Sequence, residues 1–418
     1  MAKAVHGKVG DQYFMKTVAA AIEFGSSKIV TLLAESGGFA RCEIIGSGTV
    51  PYSGYMDGQW NDPEGLLQAI EESVHAAEVE AKRRIHEVFV GVPGEFTHVC
   101  TAIGEVKITS PDGRVTDEDV YNAMDAAAEE LNLAEMGGNV LHRTPAWFSA
   151  GEGRRTMKPV GSKGNRLRVL TSFVLADPGF IETIRGCLAE LGITVNLFLA
   201  PALGTFNLLI PFDDRDRTSV VMLDVGYLNT ELSVVEGDAI TYHAVLPSGG
   251  GYITADLADA LGIGMDEAEA IKRAYIFTPD AYDAQSDPEV RFEDGSVVTF
   301  PRDLVQDVIE NVVDDLIEMI IGALEHAGDK VSPKAVVYIT GGGLVNMRGS
   351  REYLSGKLGR AVKIPAVRAS RLNNPRFASS IGLMDQVFAV VEERNYIENE
   401  KNGRFGGIKN IFRKNTNE

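Results

Sequence analysis

Two short stretches, far apart in a chain of 418 residues, follow the same order: an apolar strand carries a carboxylate into a glycine turn, and a second apolar strand leaves it. The first is IEFGSSK, with Glu23 and Lys28; the second is LDVGYLNTE, with Asp224 and Glu231. Each predicts a hairpin. TVAAAIEFGSSKIVTLLAE reads as two apolar runs around Gly25-Ser26-Ser27. PEGLLQAIEESVHAAEVEAKRR then shows helical spacing, with Leu66, Leu67, Ile70, Val74 and Ala77 on one side, and EVFVGVPG reads as a buried strand. A second half begins at Thr218 and passes through TADLADALGI, DEAEAIKRAY and the long amphipathic LVQDVIENVVDDLIEMIIGALEHAG to the buried strand AVVYITGGGLV. Hairpin, helix and strand occur twice, which predicts an α/β fold built from two related halves.

Between the halves the texture changes. Residues 96–174 combine alternating VCTAIGEVKIT, a turn at Pro111-Asp112-Gly113, a helix start at Thr116 with Asp119 three residues on, and a loop PVGSKGNRLRV. They read as a small α+β subdomain inserted into the first lobe. DPGFIETIRGCLAELGI restores a helix, VNLFLAPALGTFNLLI closes the lobe, and an acidic strand-like segment at 280–299 interrupts the second half.

Composition limits the function classes. A formal charge of -19 argues against broad nucleic-acid binding, which needs clustered Lys and Arg. Three scattered cysteines, Cys42, Cys100 and Cys187, do not form a disulfide framework and suit a reducing cytosol. The start MAKAVHGKVGDQYFMK lacks the apolar core of a signal peptide, and no stretch approaches the roughly 18 apolar residues of a membrane span. No HExxH, GxSxG or GK[ST] motif occurs, and no catalytic nucleophile is assigned.

The glycine turns bear on phosphate chemistry. Two hairpin loops facing across a cleft can offer backbone N–H groups and small hydroxyls to a polyphosphate, while a carboxylate beneath each holds waters of a Mg²⁺ ion. Alone, either loop equally fits a plain turn. Gly341, Gly342 and Gly343 allow close approach to an adenine or ribose, and equally suit helix packing. Glu269 and Lys272, three apart on a helix, share one face and either reach a ribose or form an intrahelical ion pair.

The end of the chain has a separate character. VEERNYIENEKNG reads as a polar linker at 392–403. At 100° per residue Phe405, Ile408, Ile411 and Phe412 fall within an arc of roughly 120°, flanked by Lys409 and Arg413, with Lys414 opposite and Arg404 leading. That is a short basic amphipathic helix suited to an anionic membrane surface, or else a disordered or self-docked tail.

Taken in order, IEFGSSK, LDVGYLNTELSV, LPSGGGYITADLA, EAEAIK and YITGGGLVNM resemble the phosphate-1, phosphate-2 and adenosine motifs of the actin, Hsp70 and sugar-kinase superfamily. With VFVGVPG, GEVKITSPDGRVTDEDV and LHRTPAWF between them, the chain is most similar to the FtsA family of actin-like bacterial cell-division proteins, over roughly 18–390. The resemblance implies an actin-like two-lobed ATPase fold of duplicated ribonuclease H-like domains. Subdomain 1A would comprise 17–95 and 175–212, inserted subdomain 1C 96–174, subdomain 2A 213–258 and 332–391, and subdomain 2B 259–331, with an N-terminal extension at 1–16 and a membrane-targeting helix at 404–418.

It further implies ATP and Mg²⁺ in the central cleft. The implied nucleotide site comprises Glu23, Gly25, Ser26, Ser27, Lys28, Asp224, Gly226, Tyr227, Asn229, Thr230, Gly249, Gly250, Gly251, Glu269, Lys272, Gly341, Gly342, Gly343 and Met347, with Mg²⁺ held through water by Glu23 and Asp224. Implied partners are the C-terminal tail of FtsZ on subdomain 2B, further copies of the chain in a polymer, an anionic membrane at the division site and later division proteins. Two departures stand out. Glu23 replaces the family's usual Asp, and Tyr227-Leu228-Asn229 replaces further glycines, so ATP is expected to act as an assembly switch more than a fuel. A small-molecule kinase or ATPase and an actin-like pilus-assembly protein are the alternatives on the same fold. An Hsp70-like chaperone would need a substrate domain for which no residues remain.

Overall fold

β1 (Val18–Phe24) and β2 (Lys28–Glu35) form the first expected hairpin, their alternate residues buried on both faces. The structure, a computed structural model, describes residues 17–36, 42–52, 54–56, 58–132, 139–216, 218–277, 286–292, 295–369 and 371–401. The N-terminal extension at 1–16 and the amphipathic segment at 404–418 lie outside the described residues.

β3 (Glu43–Pro51) extends the hairpin, and β4 (Tyr55–Met56) and β5 (Gln59–Trp60) make a small ribbon. α1 (Pro63–Ala81) starts where the Asp62 side chain accepts from the Gly65 N–H and Pro63 presets the first turn. Its Leu66, Ile70, Val74 and Ala77 are buried, as their spacing predicts. β6 (Glu87–Gly91) follows. The insertion is β7 (Thr97–Lys107), α2 (Asp117–Glu130), β8 (Asn139–Ala150) and β9 (Arg166–Ala176), a sheet in the order β7-β9-β8. The Thr116–Asp119 capping box forms, with each side chain meeting the other's backbone N–H. α3 (Pro178–Glu190), β10 (Thr194–Leu199), α4 (Pro201–Leu209) and the single turn α5 (Phe212–Arg215) complete this part.

The second half repeats the plan with β11 (Val220–Val225), β12 (Thr230–Glu236), β13 (Ala239–Leu246), α6 (Gly250–Leu261) and α7 (Met265–Ala274). β14 (Glu289–Arg291) and β15 (Val297–Thr299) form a short ribbon before α8 (Arg302–Ala327), β16 (Val337–Thr340), α9 (Ser350–Leu358), β17 (Val362–Lys363) and α10 (Ala378–Lys401).

The two main sheets run β10-β6-β1-β2-β3 and β13-β12-β11-β16-β17. In each, the hairpin strand that carries the carboxylate pairs antiparallel with its hairpin mate and parallel with the strand after the helix: β1 with β2 and β6, β11 with β12 and β16. The fold is therefore actin-like α/β, two sheet cores with an inserted α+β unit. The carboxylates stand at the C-terminal ends of β1 and β11, where open α/β sheets place their ligand crevices.

α10 departs from the sequence reading twice. The sequence places residues 332–391 wholly in the second lobe, yet α10 buries Ile381, Leu383, Met384, Val387 and Phe388 in the core of the first. It crosses α4 where Gly204 and Gly382 meet backbone to backbone, a contact that any side chain would block. The stretch 392–403, expected as a linker, is helical through Lys401. Polar composition suits a helix as readily as a loop, and the apolar residues that anchor α10 lie upstream.

Candidate functional site

A cleft of about 410 Å³ lies between the two hairpin turns. The first lobe contributes Glu23, Gly25, Ser26, Ser27 and Lys28; the second contributes Asp224, Gly226, Tyr227, Asn229, Gly250, Glu269, Lys272 and Gly341 to Gly343. Five segments that sequence order alone kept apart thus share one wall.

The turns are built from backbone. The Gly25 N–H donates to the Lys28 carbonyl, and the Gly226 N–H to the Asn229 carbonyl, each at 2.9 Å. The second turn lies on the start of α6: the Gly250 N–H donates to the Gly226 carbonyl and the Gly251 N–H to the Tyr227 carbonyl. A Cβ on Gly250 would stand 2.5 Å from the Gly343 Cα, so these two chains approach only because both residues are glycine. Gly341, with φ of 92°, turns the chain out of β16.

The lobes meet beside the cleft. The Leu228 N–H donates to Ser26 Oγ at 3.1 Å, Asn229 Nδ2 donates to Glu95 at 2.6 Å, and the Gly94 N–H donates to Glu231 at 2.9 Å. The Tyr227 ring lies over Gly251 and is partly exposed to the cleft, where it narrows the space above the turn.

Charge is concentrated here. Burial pushes the Asp224 carboxyl up to about 7, and Glu23 adds to the rise while Lys28 opposes it. Burial likewise pushes Glu231 up to about 8, with Asp224 as the next cause. Asp224 and Glu231 are cross-strand partners, so their side chains share one sheet face. Glu23 is also raised by burial, against Lys28 and the hydroxyls of Ser380 and Ser379, which donate to it at 3.0 and 3.3 Å. Lys28 donates to the Arg376 carbonyl at 2.9 Å and lies over the Phe377 ring; burial lowers its pKa.

Glu269 and Lys272 form the expected intrahelical ion pair at the edge of the cleft. They line the cleft and form an ion pair at 2.5 Å, while Lys272 also donates to the Gly250 carbonyl and Thr254 Oγ1, both at 2.9 Å. Four expected residues stand behind the wall. Thr230 donates to the Ser248 carbonyl; Gly249 and Gly251 back the second turn; Met347 is buried in the second core. Sequence reading left out Tyr55, Arg376 and Ser379, which line the cleft, and Ser380, which bonds Glu23; Glu231, marked with Asp224 in the second hairpin but not assigned to the site, lines it too. Glu231 was readable, because in a hairpin closed at Gly226–Asn229 it stands opposite Asp224. The α10 residues carried no such signal.

A sequence model described as cell division protein FtsA matches residues 221–382. The chain is 25% identical over 373 residues to the cell division protein FtsA of Neisseria meningitidis, covering 87% of this chain and 88% of the relative. In both comparisons the chain is similar to FtsA cell-division proteins. Among solved structures, the PilM–PilN type IV pilus biogenesis complex aligns with a TM-score of 0.59 at 19% identity, covering 87% of this chain and 97% of that one. MreB5 of Spiroplasma citri, solved bound to ADP, aligns with a TM-score of 0.53 at 12% identity, covering 91% and 98%. At those identities the likeness is one of fold, and the fold is actin-like.

Proposed function

We propose that this protein is a member of the FtsA family that holds ATP with Mg²⁺ in the cleft, assembles with copies of itself, and ties FtsZ filaments to the inner face of the cytoplasmic membrane. The nucleotide reading rests on one observation: two hairpin turns, each with a carboxylate at its root, face one another across a glycine-lined cleft of about 410 Å³. That volume lies within the usual range for small-molecule sites.

The residues suit such a ligand. Ser26 and Ser27 offer backbone N–H groups and hydroxyls to phosphate oxygens, with the Lys28 cation beside them. Gly341 to Gly343 leave open backbone for the nucleoside, and Glu269 lies within the lining to accept from ribose hydroxyls. Among the described residues no group of three or more His, Cys, Asp or Glu is close enough to ligate a metal directly. Glu23 and Asp224 would therefore hold Mg²⁺ through its own waters, and the ion would supply positive charge against the phosphates. Tyr227 in the cleft lining and the Ser26–Leu228 bond between the turns would restrict the approach of a third phosphate, which suits slow turnover.

Subdomain 2B, 259–331, is the proposed seat of the FtsZ tail, and Val297 and Val298 expose apolar surface there. No helix among the described residues is long and apolar enough to cross a membrane, so attachment is assigned to the basic amphipathic segment at 404–418. Sedimentation with phosphatidylglycerol vesicles, with and without ATP and an FtsZ tail peptide, tests the reading. Deleting 404–418 abolishes sedimentation with lipid; retained binding would refute the anchor. Nucleotide is read independently by a thermal shift with ATP and Mg²⁺.

A further inference from the structure

At the opposite end of the first sheet from the cleft lies a second groove of about 540 Å³. Its floor is apolar, formed by Ala19, Ala20, Leu33 and Phe89, and its rim is basic, with Arg83, Arg84, His86 and Arg394 exposed. Glu87 is the one acidic side chain in the lining, and the exposed Lys82 precedes the arginines in sequence. Such a rim stands out in a protein of net charge -19.

Two elements fix its position. β1 runs seven residues from Val18 at the groove to Glu23 and Phe24 at the cleft, a rise of about 20 Å. α10 runs the other way, from Ser380 on Glu23 to Arg394 on the groove rim, about 21 Å of helix. Both ends of the described chain leave on this face: Thr17 lines the groove, and α10 continues past Arg394 to Lys401.

We infer that this groove is a second membrane contact, in which Arg83, Arg394 and their basic neighbours receive the phosphates of anionic phospholipid headgroups. The inference rests on the proposed membrane role of 404–418, because it is that segment which brings this face to the lipid. Charge complementarity selects the occupant, and the apolar floor beneath an open cationic rim matches the boundary between headgroup and acyl chain. Arg84 already pairs with Glu78 at 2.6 Å and Arg394 donates to Asn196 at 2.6 Å, which holds both guanidinium groups in place at the rim.

The test neutralises the rim without breaking the Arg84–Glu78 pair. Full-length protein carrying Lys82→Gln, Arg83→Gln and Arg394→Gln is compared with the parent on vesicles of phosphatidylglycerol and phosphatidylcholine at low salt. A basic residue near an anionic surface is worth roughly fivefold in partition, so the triple variant should lose on the order of 100-fold, with a shallower salt dependence. Partition within twofold of the parent, or an equal loss on pure phosphatidylcholine, overturns the inference. So does self-association weakened in the absence of lipid with lipid binding unchanged, which would assign the face to a second copy. Ile408→Glu with Phe412→Glu, run beside it, reads the terminal segment alone. If that variant binds as the parent, the anchor reading fails while the rim variant still reports on the groove.

Discussion

The backbone N–H of Leu228 donates to the Oγ of Ser26 across 3.1 Å, joining turns that stand 202 residues apart in sequence and belong to different lobes. Ser26 is buried and Leu228 is half-buried. Replacing Ser26 with Ala leaves the Leu228 donor unsatisfied and should cost the ligand-free protein about 1 kcal/mol. Urea denaturation at pH 7 measures this, and an unchanged midpoint would show that the bond does not hold the lobes.

The carboxylates of Asp224 and Glu231 set a pH dependence of definite sign. Their folded-state pKa values lie at about 7 and about 8, above those of the unfolded chain, because burial, with repulsion from Glu23 on Asp224 and from Asp224 on Glu231, disfavours the charged forms. The folded state therefore binds more protons, and stability present at pH 4 declines as pH rises toward 8. Glu231→Gln keeps an acceptor for the Gly94 N–H and removes the charge. It should raise the melting temperature of the ligand-free protein at pH 8.5 and change it little at pH 5.

The same protons oppose a bound cation. Mg²⁺–nucleotide affinity should rise between pH 6 and 8 as Asp224 deprotonates, and titration calorimetry at several pH values should show proton release on binding at pH 6.5.

Gly250 and Gly343 are packed backbone to backbone, and a Cβ on Gly250 would meet the Gly343 Cα at 2.5 Å. Gly250→Val must separate α6 from the triple-glycine turn. We expect it to abolish the thermal shift given by ATP and Mg²⁺ while costing the ligand-free fold about 1–3 kcal/mol. A full shift in a folded variant would place the ligand elsewhere.

Lys272 is a buried cation, its side chain 5% exposed, held by Glu269 and two oxygens of α6. Burial opposes ionisation of Glu269, yet Lys272, Thr254 and Arg273 outweigh it and hold its carboxyl below the usual range. Glu269→Gln strands the lysine and should destabilise by about 1–2 kcal/mol, discounted for the partial exposure of Glu269. Adding Lys272→Met should recover part of that loss; a double-mutant cycle with no coupling would refute the pair.

By itself the sequence determined the elements and their duplication. Hydrophobic period and turn residues are local properties, so the hairpins at Gly25 and Gly226, the cap at Thr116 and the buried face of α1 were legible residue by residue. It also named the segments that line the cleft, because glycine and carboxylate at a strand end restrict what a turn can do. Only the tertiary structure decided what no period encodes. α10 was read as the end of the second lobe and the start of a linker, yet it crosses back onto α4 because its apolar side chains fill the first core. That crossing brings Ser379 and Ser380 to Glu23, and Arg394 beside Arg83 at the far end of the sheet. Contacts between residues hundreds of positions apart depend on which faces remain to be covered after each lobe has folded, and that is a property of packing in three dimensions.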